Sequence, residues 1–473
     1  MRLSLDNVPA RLRLALSGNW RRRMSGASLI LFLTQAFLFV LGLALSIVLA
    51  RTLQPTGRGQ YAIIMLVPAL LVQFVDPCFS NSIIFFNGQK KFTAMQLAAA
   101  GVRLALVAGG VAFLMSLVAI SVPPVSGWLG PSLGRGGANL ALASVITVSF
   151  VLTTQYCGTI LLGANRVIEF NMTRLVAPTV QLVLVVSIAL SGRFNLGSAV
   201  YAYVGAAVAG GFFAVWAATR IVGSRPRELL LTLDRRVLKE TIPFGLRGYA
   251  ARFCAFGALR LDAFLIAALM SSADVGIYMV GVALAERISM IPEAIATALL
   301  PRVASLGADA TSMTTMATRN TLFSVGLTSA FLALIARPLV VTLYGVSYGG
   351  AALALVALLP GIAALSISGV VSSYITGKGH PEYGILPALL SLIVNVGANL
   401  YLIPRLGILG AALASTLSYT MAGGCFVAIF MRMSGATLSD LLFLRRSDLL
   451  IYVGFARSFL RRVRNMGRPL IAG

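Results

Sequence analysis

Nine ionisable side chains set inside long apolar runs could do chemistry in this sequence: Asp76, Arg103, Arg247, Arg252, Arg260, Asp262, Glu286, Arg287 and Glu293. A charge at the centre of a membrane helix costs about 2.5–3.5 kcal/mol on insertion scales, so such residues default to a partner, a wet cavity or a function. Arg252 and Arg260 stand eight residues apart, which is about 12 Å along a helix and about 80° around it. Both can therefore face one cavity. With Arg247 and Arg103 they make a candidate site for a phosphate or pyrophosphate group. The guanidinium fork takes two oxygens at once and keeps its charge when water is removed. The carboxylates Asp76, Glu293, Glu286 and Asp262 are candidates for carrying a coupling proton or Na⁺. A structural reading stands beside this one, in which Arg252, Arg260 and Arg287 pair with Asp262, Glu286 and Glu293 between helices.

Asp76 precedes Pro77, and Glu293, 217 residues further on, follows Pro292. A proline inside a span removes one N–H and frees a backbone carbonyl, so both places should bend. No metal site or disulfide framework is expected. Cys78, Cys157, Cys254 and Cys425 are far apart in apolar segments, and His380 is the one histidine. No cofactor is expected either.

The elements that must position these residues follow from composition. The chain has 473 residues with 38 Lys+Arg against 14 Asp+Glu, a net charge of +24, 11% charged and 58% hydrophobic residues, and a mean hydropathy of +0.90. A soluble domain carries about 25% charged residues, so a soluble enzyme is excluded. Nucleic-acid binding is excluded too, because the basic residues are scattered among apolar runs of membrane length. About 20 apolar residues cross a bilayer as a helix. That rule gives twelve spans, near 26–50, 60–86, 97–120, 138–162, 174–191, 197–219, 243–270, 275–300, 320–343, 350–375, 384–403 and 408–431. With the N-terminus inside, cytoplasmic segments hold 27 cations and outside loops five, which puts both termini in the cytoplasm. The six arginines in the first 25 residues precede an apolar run too long for a cleavable signal. No outside loop reaches 20 residues, which leaves no room for a catalytic domain there.

The halves repeat. Gly59-Gln60-Tyr61 matches Gly276-Ile277-Tyr278, Gly163 matches Gly377, and Leu196-Gly197-Ser198-Ala199 matches Leu409-Gly410-Ala411-Ala412, at offsets of 213 to 217. Each unit holds six spans, an even number, so the repeats are parallel. The expected organisation is a basic N-terminus (1–25), a six-helix lobe (26–219), a basic linker (220–242), a second six-helix lobe (243–431) and a basic tail (432–473). The tail mixes arginines with apolar positions such as Leu441 and Leu449, which suits a helix lying on anionic membrane lipids.

The run Ala50-Arg51-Thr52-Leu53-Gln54-Pro55-Thr56-Gly57-Arg58-Gly59-Gln60-Tyr61-Ala62 resembles the A-R-x-L-G-P-x-x-x-G-x-Y-A signature of the Wzx-like oligosaccharide flippases of polysaccharide biosynthesis. Asp262 ahead of Val275-Gly276-Ile277-Tyr278 is similar to their junction of seventh and eighth helices, as is Ile291-Pro292 running on to Leu300-Pro301. Gln54 departs from the signature's glycine. The resemblance spans about residues 24–432. It implies an all-α polytopic membrane protein of the multidrug/oligosaccharidyl-lipid/polysaccharide superfamily, with two parallel six-helix repeats in a MATE-like two-lobe architecture. It further implies a bacterial inner-membrane flippase, not an enzyme. Such a protein carries polyprenyl-pyrophosphate-linked oligosaccharide outward by alternating access, for O-antigen, capsule or exopolysaccharide assembly. A polysaccharide polymerase and a chain-length regulator are the partners this implies. The rivals are an ion-coupled multidrug exporter, which should favour an acidic cavity, a lipid II flippase, which often carries two further helices, and a non-transporting scaffold.

Overall fold

In a bilayer every backbone N–H and C=O must be satisfied within its own segment, so apolar runs of this length fold as helices. The computed structural model describes residues 26–89, 91–121, 136–164, 166–223, 229, 234–290, 292–296, 299, 303, 310–445 and 448, and among these it is helical throughout with no strand. The basic N-terminus, the turn at Val122-Pro123-Pro124, the Leu300-Pro301 step and most of the basic tail lie outside the described residues. The chain divides into two compact units, residues Met1–Tyr249 with Ser271–Gly276, and residues Ala250–Met270 with Ile277–Gly473.

Unit 1 begins with α1 (Gly26–Val75), whose 50 residues break at Gln54, where φ is 57° and ψ is 172°. Its two arms are the first two expected spans, and the break falls at the Gln54-Pro55 turn. The second arm stops earlier than expected. Asp76, Pro77 and Cys78 interrupt it, Cys78 at a φ of 56°, before α2 (Phe79–Gly88) resumes. Then follow α3 (Ala94–Ser121), α4 (Gly137–Val145), α5 (Thr147–Gly163), α6 (Val167–Leu190), α7 (Leu196–Val222) and α8 (Arg235–Leu246). The fourth span is α4 and α5 together. Around Tyr156, Phe79 and Leu152 the core is fully buried, with the Tyr156 and Phe79 rings edge-on at 5.1 Å.

The linker boundary expected at 242 is not where the chain changes character. α8 runs across it as a separate amphipathic helix, capped by Asp234, which accepts the Arg236 N–H at 3.0 Å. Val237, Thr241 and Gly245 recur at every fourth position and are buried, and the Ser82 hydroxyl donates to the Thr241 carbonyl at 2.7 Å. Lys91 pairs with Glu240 over the same joint and holds that carboxyl below its ordinary range.

Most of unit 2 comes from α9 (Tyr249–Leu269), α10 (Ser272–Glu286), α11 (Ala310–Tyr344), α12 (Gly350–Gly377), α13 (Ile385–Leu406), α14 (Ile408–Ser434) and the short α15 (Leu438–Leu442). Ten helices among the described residues are long and apolar enough to cross a membrane. The first of these holds both arms of α1. α9 is not one of the ten, because its 21 residues carry Arg252, Arg260 and Asp262. With α1 counted as two and α9 added, the twelve expected spans are recovered.

The repeated glycines explain themselves sterically. A Cβ on Gly59 would lie 1.6 Å from the Ser272 carbonyl oxygen, and one on Gly276 would lie 2.1 Å from that of Pro55. Backbones this close leave no volume for a side chain, so the first turn of α10 joins unit 1. At the other end of the chain, Arg319 of α11 reaches the tail. Its Nε and Nη2 donate to Asp448 at 2.8 and 3.2 Å and its Nη1 to the Asp440 carbonyl at 2.7 Å, with both charged side chains buried. The tail is therefore fastened to protein as far as Asp448.

Candidate functional site

The charged cluster of unit 2 is built on α9, α10 and α14. Arg260 and Glu286 form a two-pronged pair, Nη1 to Oε1 at 2.7 Å and Nη2 to Oε2 at 3.2 Å. Both are about one-third exposed, at 28% and 34% of the side chain. Asp262, two residues along α9, takes a different course. It is 2% exposed and is held by hydroxyls. Its Oδ2 accepts a short hydrogen bond from Tyr278 and another from Ser415 at 3.0 Å, and its Oδ1 accepts the Ala263 N–H at 2.7 Å. In these bonds its oxygens meet two hydroxyls and a backbone N–H.

Arg252 lies on α9, half-buried, and Arg287 opens a half-buried 3-10 turn, Arg287–Ser289, that ends α10. Glu293 follows in the helical stretch 292–296 with its side chain exposed. These residues all belong to unit 2.

Asp76, Arg103 and Arg247 belong to unit 1. Asp76 is fully buried. Its Oδ1 accepts the Phe79 N–H at 3.1 Å and the Tyr156 hydroxyl at 2.7 Å. It thus caps α2, where an acidic group also meets the positive end of the helix dipole. Arg103 is half-buried on α3, while Arg247 sits exposed just past α8, its guanidinium 6.0 Å from the Phe244 ring. Arg247 is therefore outside the span that sequence reasoning gave it, for the same reason that α8 is a separate helix.

Sequence reasoning weighed charged residues and passed over their neutral partners. Tyr278, Ser415 and Tyr156 hold the two buried aspartates, and in unit 1 the Gln181 amide donates to the Tyr61 hydroxyl at 2.9 Å. The signal for two of them was present, since Tyr61 and Tyr278 are the matched tyrosines of the repeat.

Helices in two units of this length and polarity, with charges confined to a few internal positions, define a multi-pass membrane protein. Its fold is that of the MOP superfamily transporters. It resembles an inward-facing multidrug resistance MATE family transporter (TM-score 0.65, 17% identity, 84% of this chain and 95% of that one). It also resembles the lipid II flippase MurJ in an inward closed conformation (TM-score 0.69, 13% identity, 92% and 99%). A third relative is a superfamily transporter from Pyrococcus furiosus whose binding pocket has reversed polarity (TM-score 0.58, 15% identity, 86% and 94%). At these identities the likeness is one of fold. The sequence model of the polysaccharide biosynthesis protein family matches residues 48–353, and the chain belongs to that family. A search of curated protein sequences finds no match.

Proposed function

We propose that this protein is a flippase that moves polyprenyl-pyrophosphate-linked oligosaccharide across the bacterial inner membrane by alternating access, with both termini in the cytoplasm. Family membership supports the cargo class, and the observation that carries the reading is the forked Arg260–Glu286 pair between α9 and α10. Glu286 presents two oxygens to the guanidinium as a phosphate would. Cargo pyrophosphate exchanges for it, with Arg252 of the same unit as a further cationic contact. Asp262 is the first candidate for the coupling ion, and Glu286 takes that role when the cargo displaces it. Asp76, Glu293 and Arg287 serve as structural partners. Anionic lipids, a polymerase and a chain-length regulator are the partners this role requires.

Deleting the gene should trap lipid-linked oligosaccharide on the cytoplasmic face and abolish the surface polymer. Arg260→Ala at normal protein level should fail to complement, with Arg260→Lys retaining part. Glu286→Gln should bind cargo more tightly while flipping it more slowly. Normal polymer in the deletion strain, without a compensating flippase, would sink the proposal. An exporter of cationic drugs is the second reading, favoured by the MATE fold. It predicts instead that the deletion raises drug sensitivity and leaves the polymer untouched.

A further inference from the structure

In unit 1, α8 and α2 run antiparallel, and four contacts fix their register. The Phe244 and Phe85 rings stack at 4.3 Å. The Ser82 hydroxyl donates to the Thr241 carbonyl, and Glu240 pairs with Lys91. Gly245 reaches Pro77 so closely that an added Cβ would lie 2.1 Å from the Pro77 carbonyl oxygen. α2 closes the second expected span, so Lys91 stands past its end and Pro77 within it. α8 therefore begins at the edge of the membrane and ends inside it.

One side of α8 is the buried row Val237, Thr241 and Gly245. The other side is exposed, and its character changes along the axis. Arg235, Arg236 and Lys239 come first, then Pro243 and Leu246, all exposed and at the three-and-four spacing of one helical face. Ile84 and Phe85 of α2 are exposed too, and the Phe244 stack puts Phe85 at the apolar end. Arg247 follows that end with its guanidinium 6.0 Å from the Phe244 ring, a contact that offsets the cost of a cation beside apolar surface. Water along the whole face would hydrate an apolar patch. Hydrocarbon along the whole face would strand three cations. A molecule with a polar end and an apolar end satisfies both halves.

Charge narrows the occupant. At the basic end Lys91, Arg235, Arg236 and Lys239 face two carboxylates, Asp234 and Glu240, and both acids are engaged. Asp234 accepts the Arg236 N–H and the Gln96 side-chain amide, while Glu240 lies between Lys91 and Arg236. Among the described residues Arg235 and Lys239 form no ion pair. A zwitterionic headgroup would leave this excess unbalanced, whereas an anionic one answers it.

We infer that the joint of α8 and α2 is a binding surface for an anionic phospholipid, its phosphate at Arg235 and Lys239 and its acyl chains along Pro243, Leu246 and Phe85. Sequence reasoning gave the lipid contact to the basic tail, which the Arg319–Asp448 clamp instead ties to protein as far as Asp448. The inference rests on the membrane fold and not on the cargo, so a deletion strain with normal surface polymer would leave it standing.

The full chain, purified in neutral detergent, is titrated with dioleoyl phosphatidylglycerol, dioleoyl phosphatidylcholine and glycerol 3-phosphate, and bound lipid is counted by native mass spectrometry. Phosphatidylglycerol should bind at least about tenfold more tightly than phosphatidylcholine, a margin that two surface cations supply. Raising the salt should shrink that margin in the wild-type chain, without any substitution. Arg235→Gln with Lys239→Gln should remove it, while Arg235→Lys with Lys239→Arg should keep it, which separates charge from misfolding. Leu246→Gln should weaken both lipids alike. Arg461→Gln with Arg462→Gln, in the tail, should change nothing. The inference is overturned if the two lipids bind equally, if the paired glutamines at 235 and 239 leave the margin intact, if the tail variant removes it, or if glycerol 3-phosphate binds as tightly as the lipid.

Discussion

The two repeats place a tyrosine at the same point, 217 residues apart, and use it on different chemistry. In unit 1 the Tyr61 hydroxyl accepts from the neutral amide of Gln181. In unit 2 the Tyr278 hydroxyl donates to the buried acid Asp262. The carboxylates beside the paired prolines diverge too, with Asp76 buried as a helix cap in unit 1 and Glu293 exposed within the helical stretch 292–296 in unit 2. The matched tyrosine has thus been kept while the group it meets has changed. Each unit nonetheless buries an aspartate that accepts a tyrosine hydroxyl and a backbone N–H, Asp76 from Tyr156 and Phe79 and Asp262 from Tyr278 and Ala263, with the Ser415 hydroxyl added in unit 2.

The ties that fasten a peripheral segment to each unit differ as well, and they give the largest expected effect. Arg319 and Asp448 are both buried. Removing one partner strands the other charge, at a cost of roughly 3–5 kcal/mol. Arg319→Ala should therefore release the tail, read as faster hydrogen exchange at 437–448 and a lower melting temperature. Acid should act in the same direction. Burial pushes the Asp448 carboxyl up, but the Arg319 and Arg445 N–H donors outweigh it and hold it below its ordinary range. A carboxyl lowered in the fold contributes stability that is complete above its unfolded value of about 3.9 and is lost as pH falls through the folded one. Tail protection that survives both the substitution and acid would show that apolar packing around Leu441 holds the tail.

The signature tyrosines come next. Tyr278→Phe removes a hydrogen bond to an ionisable group, worth about 1.5–3 kcal/mol, and leaves a buried oxygen short of one donor. It should also alter the ion dependence of flipping. Tyr61→Phe removes only a neutral bond of about 0.5–1.5 kcal/mol and should leave that dependence unchanged. Measured side by side in denaturant, equal losses would erase the contrast between the units. An ion response in the Tyr61 variant would reverse it.

These contrasts show what was legible in the sequence. Twelve spans and their repeat could be read because bilayer thickness imposes a length on every apolar run, and prolines and glycines punctuate the turns. The break at Asp76-Pro77 was visible in the residues themselves. The extent of α8 was not, since an amphipathic helix alternates polar and apolar positions and offers no run to count. Arg247 was misplaced for that reason. Nor could pairing be read: Arg260 meets Glu286 across a separation of 26 residues, and Asp262 meets Ser415 across 153, contacts that only helix packing decides.

The smallest effect tests the same contrast from the other side. Lys91 and Glu240 tie α8 to unit 1 as Arg319 and Asp448 tie the tail to unit 2, but they do so in water. An exposed pair gains little in high dielectric, spends side-chain entropy and is screened by salt. Lys91→Ala should leave the melting temperature where it was, and whatever change is seen at low salt should vanish on raising the ionic strength. The burial of Val237, Thr241 and Gly245 against unit 1 would then be what holds α8. A large, salt-resistant loss in Lys91→Ala would instead make the ion pair the fastening of both segments, and the distinction drawn between a buried clamp and an exposed one would fail.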